Sequence, residues 1–372
     1  MIDRPRGGSR RRAALLVLAA LSGAALHPAT AAEAVAPGSV AFDYRNRPDL
    51  EHLSGFETVV LSPRAPEAAA AVHEQGAVVL VWLQPFLCSW RGQPPAPGTL
   101  LGDAYALAEA HGAWLREADG TPATVRDADV SDCRVYDFGN AAFVESLAVL
   151  VTARLEHADG VLLDYGCPSL GWEPSLAAVD AALWEGWSAG HLQYMDALRR
   201  HRPEWRLLCQ CQRWGEQLPL ACDGLVLEKV GWSLNPFRQV LEQAAAQPSK
   251  RSVLMIADAL GHEDPVRRRV AAALALLLDY DFSYRVEDAF GPHASRDPEH
   301  FELTLGDWSG PRREVRTGVF VREAAFGFTV VNLSAEPYQR GAETIPPGDA
   351  LTAQTHDPET GAAIPWRRAG AP

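Results

Sequence analysis

Two short runs of the same form stand 64 residues apart, Asp159-Gly160-Val161-Leu162-Leu163-Asp164 and Asp223-Gly224-Leu225-Val226-Leu227-Glu228. Each opens on a turn pair, runs through three aliphatic residues and ends on a carboxylate. Apolar runs of this length between turn signals suit strands of a parallel sheet covered on both faces. In a closed parallel barrel the C-terminal ends of the strands build the mouth where chemistry takes place. Side chains alternate along a strand, so Leu162 shares a face with Asp164, and Val226 with Glu228. If those faces point inward, two carboxyl groups from different strands meet over one pocket.

A protonated carboxyl that donates to a leaving oxygen, facing an ionised one that attacks or activates water, is the equipment of a glycosidase. A half-buried Glu beside a second negative charge resists ionisation. We therefore read Glu228 as the acid and Asp164 as the nucleophile or base, with the reverse assignment open. Lys229, next in an alternating strand, faces away from Glu228 and need not neutralise it. A carboxyl separation of about 5–5.5 Å would mean retention at the anomeric carbon, and roughly 6.5–9.5 Å inversion. A lone strand-end Asp is more often structural; the repetition of the motif is what favours catalysis. Asp159 and Asp223, at the opposite strand ends, read as turn residues that stabilise the fold.

Further candidates for contact with a sugar lie at other strand ends and on the loops beyond them. They are Asp43, Tyr44, Trp82, Gln84, Asp137, Tyr165, Gln210, Trp214, Trp232 and Asp258. Sugar rings offer C–H faces to aromatic planes and hydroxyls to fixed donors and acceptors, so this mixture fits. Asp137 and Asp258 could equally be helix N-caps. Trp184, Trp187 and Trp205 sit in or beside helical stretches and read as core.

These residues need a scaffold, and the pattern around them supplies one. Strand-like runs at 40–44, 58–62, 77–82, 159–164, 205–210, 223–228 and 252–258 alternate with helical stretches near 65–75, 103–113, 140, 176–199, 236–246 and 264–279. Such alternation calls for a parallel sheet, and roughly 250 residues of it fit a (β/α)8 TIM barrel over 38–297. No Gly-rich dinucleotide loop follows a strand, which weighs against a doubly wound open sheet. After Pro298 the pattern changes to strands without helices: Glu302–Gly306, Gly318–Arg322, Phe328–Asn332 and Ala350–Ala353. This predicts a small antiparallel C-terminal β domain over 298–372. Asn332-Leu333-Ser334 matches a glycosylation sequon but reads as an ordinary strand end.

The N-terminal Arg10-Arg11-Arg12, the apolar run 13–21 and Ala29-Thr30-Ala31 form an export signal over 1–31. Ser9-Arg10-Arg11 leaves both the general and the twin-arginine route open. Without this segment 29 basic and 46 acidic residues remain, a net charge of −17, and the only lysines are Lys229 and Lys250. Such a chain repels nucleic acid and anionic lipid, and suits a neutral or cationic carbohydrate partner. An exported location permits disulfides among the six cysteines. Cys88 with Cys133 and Cys211 with Cys222 are the expected pairs. A zinc site at Cys209, Cys211 and Cys222 has no matching spacing. Eleven His residues show no His-x-His or His-Glu-x-x-His arrangement, and no Gly-x-Ser-x-Gly elbow occurs. No metal or cofactor is expected.

The chain also resembles a largely uncharacterised group of bacterial TIM-barrel glycoside-hydrolase-like proteins. The likeness runs through Trp114-Leu115 with Asp119-Gly120, Tyr136-Asp137-Phe138-Gly139-Asn140 and Asp159 to Tyr165. It continues in Val321-Arg322-Glu323, Gly327 to Asn332 and Asp357-Pro358-Glu359-Thr360-Gly361. Ala141 stands where that pattern has Pro after Asn140. The resemblance implies an exported hydrolase of O-glycosidic bonds. The alternative is a glycan-binding barrel that has lost catalysis; a lyase or deacetylase would need a Tyr/His base or a metal cluster in the mouth.

Overall fold

The computed structural model describes residues 40–44, 47–53, 56–63, 68–88, 94–127, 130–164, 166, 179, 181–210, 221–231, 236–246, 252–258, 264–285, 292–293, 303 and 305–369. The expected signal 1–31, Tyr165, Trp214 and Trp232 lie outside them, as do the side chains of Glu228 and Asp258.

Eight strands run parallel: β1 (Val40–Asp43), β2 (Thr58–Leu61), β3 (Val78–Leu83), β4 (Gly160–Leu163), β5 (Arg206–Gln210), β6 (Gly224–Val230), β7 (Ser252–Asp258) and β8 (Asp281–Arg285). They hydrogen-bond in chain order, and a two-residue strand, Pro292–His293, lies antiparallel on β1. The ends of this curled sheet approach each other, with β8 touching both β1 and Pro292–His293. β8 was not among the expected strands: Asp281-Phe282-Ser283-Tyr284-Arg285 alternates polar and apolar, unlike the aliphatic runs before it.

Alternation sorts the side chains into two layers. Val40, Phe42, Val60, Leu80, Leu162, Leu208 and Val226 form one buried cluster inside the curl, with Tyr44 and Trp82 against it. Two short helices, α1 (Leu50–Leu53) and α2 (Ala68–Glu74), come first, and α6 (Phe237–Ala246) follows β6. The strand neighbours Val81, Val161, Leu163 and Leu207 pack outward with helices α3 (Leu100–His111), α4 (Ala141–Arg154) and α5 (Ala181–His201). Local chemistry starts and stops these helices. Thr99 caps α3 by accepting from Gly102 N, Gly112 ends it at φ 60°, and Asn140 caps α4 by accepting from Phe143 N.

The carboxylates at the strand beginnings hold the sheet together, as expected. Asp159 Oδ2 accepts from Val79 N at 2.8 Å, and Asp223 Oδ2 accepts from Leu207 N at 2.8 Å. In each case the motif's first residue ties its own strand to the preceding neighbour in the sheet. Gly160 follows because a Cβ there would lie 2.0 Å from Arg206 O. Gly190, within α5, allows similarly close approach: a Cβ would meet Phe138 O at 1.7 Å.

That contact locks α5 against an aromatic cluster. Phe138 lies against Trp187, His191 and Tyr194 at centroid distances of 5.6, 4.8 and 5.3 Å. His191 is buried, its Nδ1 has no hydrogen-bond partner among the described residues, and burial pushes its imidazole down to about 3. The unfolded chain takes up this proton as pH falls through 6.5, the folded chain only near 3. The stability this group contributes is therefore complete above the higher value and declines below it, by about 1.4 kcal/mol per pH unit. We expect urea unfolding to show an acid-side loss between pH 6.5 and 5 of about 2 kcal/mol that His191→Leu abolishes.

α7 (Pro265–Leu278) has buried residues on every side from Val270 to Leu278. A helix that is apolar all round must be covered all round. It lies between the parallel sheet, through Phe282, and a five-stranded antiparallel sheet, through Val331 and Ala350. That second sheet has the order β9 (Arg313–Arg316), β10 (Val319–Glu323), β11 (Gly327–Asn332), β12 (Asp349–His356), β13 (Ala363–Arg368). β9 and β13 add to the expected strands. Gly306, expected in a strand, adopts a positive φ of 71° instead. Arg269 makes two 2.8 Å hydrogen bonds to Asp349, fastening α7 to β12. Residues 34–372 form one compact unit. Asn332 is a buried strand end, its amide donating to Ile345 O and Pro346 O.

Candidate active site

The inward alternation carries through to the strand ends. Gln84 and Asp164 each lie one residue past the pair Leu83↔Leu163, and Gln210 one past Leu163↔Cys209. Three adjacent strands thus bring Gln84, Asp164 and Gln210 to one level, two residues above the inner apolar positions Trp82, Leu162 and Leu208. Asp164 is 7% exposed. Its backbone N–H donates to Leu83 O at 2.8 Å, and its Oδ2 accepts from Gln84 Nε2 at 3.1 Å. Gln210 is 3% exposed, and its Oε1 has no partner among the described residues. A buried amide oxygen without a donor is costly, and a hydroxyl bound beside it would supply one.

Beside this row the Tyr44 and Trp82 rings lie 4.9 Å apart at 42°, giving the mouth an aromatic wall. Two other expected contacts sit elsewhere. Asp43 is fully buried and its Oδ2 accepts from Asp49 N at 3.0 Å, where the chain leaves β1. It shares the outward face with Ala41, not the inward face of Phe42 and Tyr44, because alternation puts neighbours on opposite sides. Asp137 lies in the excursion between β3 and β4, after a three-stranded antiparallel sheet (Phe86–Cys88, Thr124–Asp127, Val130–Val135). Its Oδ1 accepts from Gly139 N at 2.9 Å, closing a turn into α4, whose N-cap is Asn140. Its neighbours Tyr136 and Phe138 instead line a cavity of ≈ 120 Å³ with Tyr44, Trp82, Gln84 and Tyr194. Tyr136 was legible within the Tyr136-Asp137-Phe138 motif, but only the face of the small sheet decides which of these residues looks inward. Tyr194 carried no signal, being one aromatic on a long helix.

β6 brings the second carboxylate. Val226 belongs to the inner cluster, but Leu227 and Val230 both belong to the outer one. The pairing with β7 slips between Leu227↔Met255 and Val230↔Ala257, so β6 carries one extra residue at Glu228-Lys229. A bulge of this kind interrupts the simple alternation expected through Glu228 and Lys229 and re-aims the chain at a strand end. Among the described residues no group of three His, Cys, Asp or Glu is placed to hold a metal ion. No described helix is long and apolar enough to cross a membrane.

A disulfide links β5 to the start of the approach to β6. Cys209 bonds to Cys222, which corrects the expected Cys211–Cys222 pair. Cys209 faces outward into the buried layer that also holds Cys222, so the strand's own alternation selects it. Cys133 is also disulfide-bonded, and the residue opposite it in register is Cys88. Cys222→Ser is expected to cost about 3 kcal/mol in urea unfolding, the value for freeing a loop of this size, with no such loss in reduced wild type relative to the reduced variant.

No protein-family model and no curated protein matches the chain. Solved structures similar to it include the glycoside hydrolase domain of PelA from Pseudomonas aeruginosa, 21% identical, covering 67% of this chain and 94% of that one, with a TM-score of 0.45. The α-galactosidase TtGalA from Thermus thermophilus is 17% identical over 77% of this chain and 65% of that one, TM-score 0.48. The α-galactosidase AgaA from Geobacillus stearothermophilus is 11% identical over 86% and 49%, TM-score 0.47.

Proposed function

We propose that the chain is an exported glycoside hydrolase that cleaves O-glycosidic bonds with a pair of carboxyl groups, in a closed (β/α)8 barrel over 38–297 followed by a β domain over 298–372. The observation that carries this reading is the level row Gln84–Asp164–Gln210, a buried carboxylate between two amides on the inner face of three adjacent strands. Asp164 is the nucleophile or base. The Gln84 amide donates to its Oδ2 and so orients the carboxylate toward the mouth. Glu228, in the bulge two residues past the inner Val226, is the acid that protonates the leaving oxygen. Gln210 Oε1 receives a substrate hydroxyl, and the Tyr44–Trp82 wall packs against the ring's C–H face. A strand end is a rigid mount, which this chemistry needs: a carboxylate displaced by an ångström loses its in-line approach.

Screening the purified protein against a panel of poly- and oligosaccharides tests the reading. Release of reducing ends from one glycan class, abolished by Asp164→Asn, supports it. Tight glycan binding with no bond cleavage would favour a binding barrel without catalysis.

A further inference from the structure

The cavity below the mouth is more than an extension of the sugar site. Gln84 belongs to its lining and also bonds Asp164, so it adjoins the carboxylate. Its lining also includes Leu101, Ala104, Leu147 and Val151 on α3 and α4. No charged side chain lines it among the described residues. At ≈ 120 Å³ it has room for several water molecules, or for a chain of several carbons.

Two phenols interrupt the apolar lining. Tyr136 and Tyr194 are each 4% exposed, and neither hydroxyl makes a hydrogen bond among the described residues. Their rings are held by other contacts: Tyr136 stacks on Trp114 at 5.5 Å, and Tyr194 packs on Phe138 at 5.3 Å. Burial raises both phenols well above their ordinary range, and the Tyr194 phenol raises Tyr136 further. Both hydroxyls therefore stay protonated on the lining of one cavity, and neither has an acceptor among the described residues. Phenol donors on a cavity lining, without protein acceptors, offer their hydrogen bonds to whatever group occupies the cavity.

We propose that this cavity binds an uncharged acyl arm of the substrate, its alkyl carbons along α3 and α4 and its carbonyl oxygen accepting from Tyr136 and Tyr194. A carboxylate would lose its hydration there and find no opposite charge, and an ammonium would find none along the lining itself. A carbonyl oxygen has two lone pairs and so takes both phenols at once. The glycosidase reading enters only in naming the molecule that carries the arm.

The probe that tests this needs no sugar. Hexanamide, hexanoate and hexylamine are titrated into the full-length protein and followed by ligand-observed NMR, alongside Asp164→Asn, Leu101→Trp and Tyr194→Phe. Hexanamide is expected to bind at least tenfold more tightly than either charged probe. Tyr194→Phe should weaken it about tenfold. Leu101→Trp, which fills the apolar end from a partly exposed position, should abolish it. Asp164→Asn should leave it unchanged. Equal binding of hexanoate, no binding of hexanamide, or unaltered binding in the Tyr194→Phe variant would overturn the proposal. A protein that hydrolyses no glycan but binds hexanamide in this pattern would defeat the glycosidase reading and leave the cavity assignment standing.

Discussion

Asp164→Asn is expected to lower glycan hydrolysis by about 10²–10⁴-fold, the usual worth of a positioned acid–base or nucleophilic carboxyl group. The substitution keeps the shape of the side chain, and the Asn can still accept from the Gln84 amide that holds Oδ2 at 3.1 Å. Folding is therefore expected to survive, with a urea midpoint close to wild type. Glu228→Gln is expected to cost as much on a natural glycan, but the two losses separate on activated substrates. An aryl glycoside with an acidic leaving group needs no proton at its oxygen, so it is spared by loss of the acid and not by loss of the nucleophile. Dinitrophenyl glycosides should thus remain substrates for Glu228→Gln and fail with Asp164→Asn. The opposite result would exchange the two roles. Full activity in both variants on the natural glycan would remove both residues from the mechanism.

The largest effect on stability is expected from Trp187→Ala, about 3–5 kcal/mol. Trp187 is completely buried, its Nε1 donates to Tyr136 O at 2.9 Å, and its ring meets Phe138, Trp184 and His191. Truncation opens a cavity and leaves the Tyr136 carbonyl without this donor. Urea unfolding should show the loss as a lower midpoint at an unchanged slope. Trp187→Phe, which retains most of the volume but not the N–H, should fall between. A change below 1 kcal/mol in the Ala variant would mean that α5 is not anchored through this ring. Because Tyr136 and Phe138 border the cavity, hexanamide binding should weaken in the Ala variant even where it remains folded.

Much of this protein is legible in its amino-acid sequence. Aliphatic runs bounded by turn signals located seven of the eight parallel strands, since a strand covered on both faces must be apolar at every position. The eighth, Asp281–Arg285, was not distinctive because its alternating polar residues match a strand with a wet face. Alternation also placed Asp164 above Leu162 on the inner side, and the roles of Asp159 and Asp223 followed from the turn pairs they open. Trp187 and Trp205 proved to be core residues, as their helical surroundings suggested.

What the amino-acid order determined by itself was periodic and local: where strands and helices lie, which side of each strand is apolar, which residues cap or turn. Only the assembled structure decided what depends on partners distant in the chain. The extra residue at Glu228-Lys229 appears only against the register of β7, and Cys209 is chosen over Cys211 because Cys222 packs on the outer layer. Tyr136 and Tyr194, 58 positions apart, come together because a small antiparallel sheet and one face of α5 both close on the same space. Spacing along a chain encodes direction within one element, whereas the meeting of two elements depends on packing that no single segment contains.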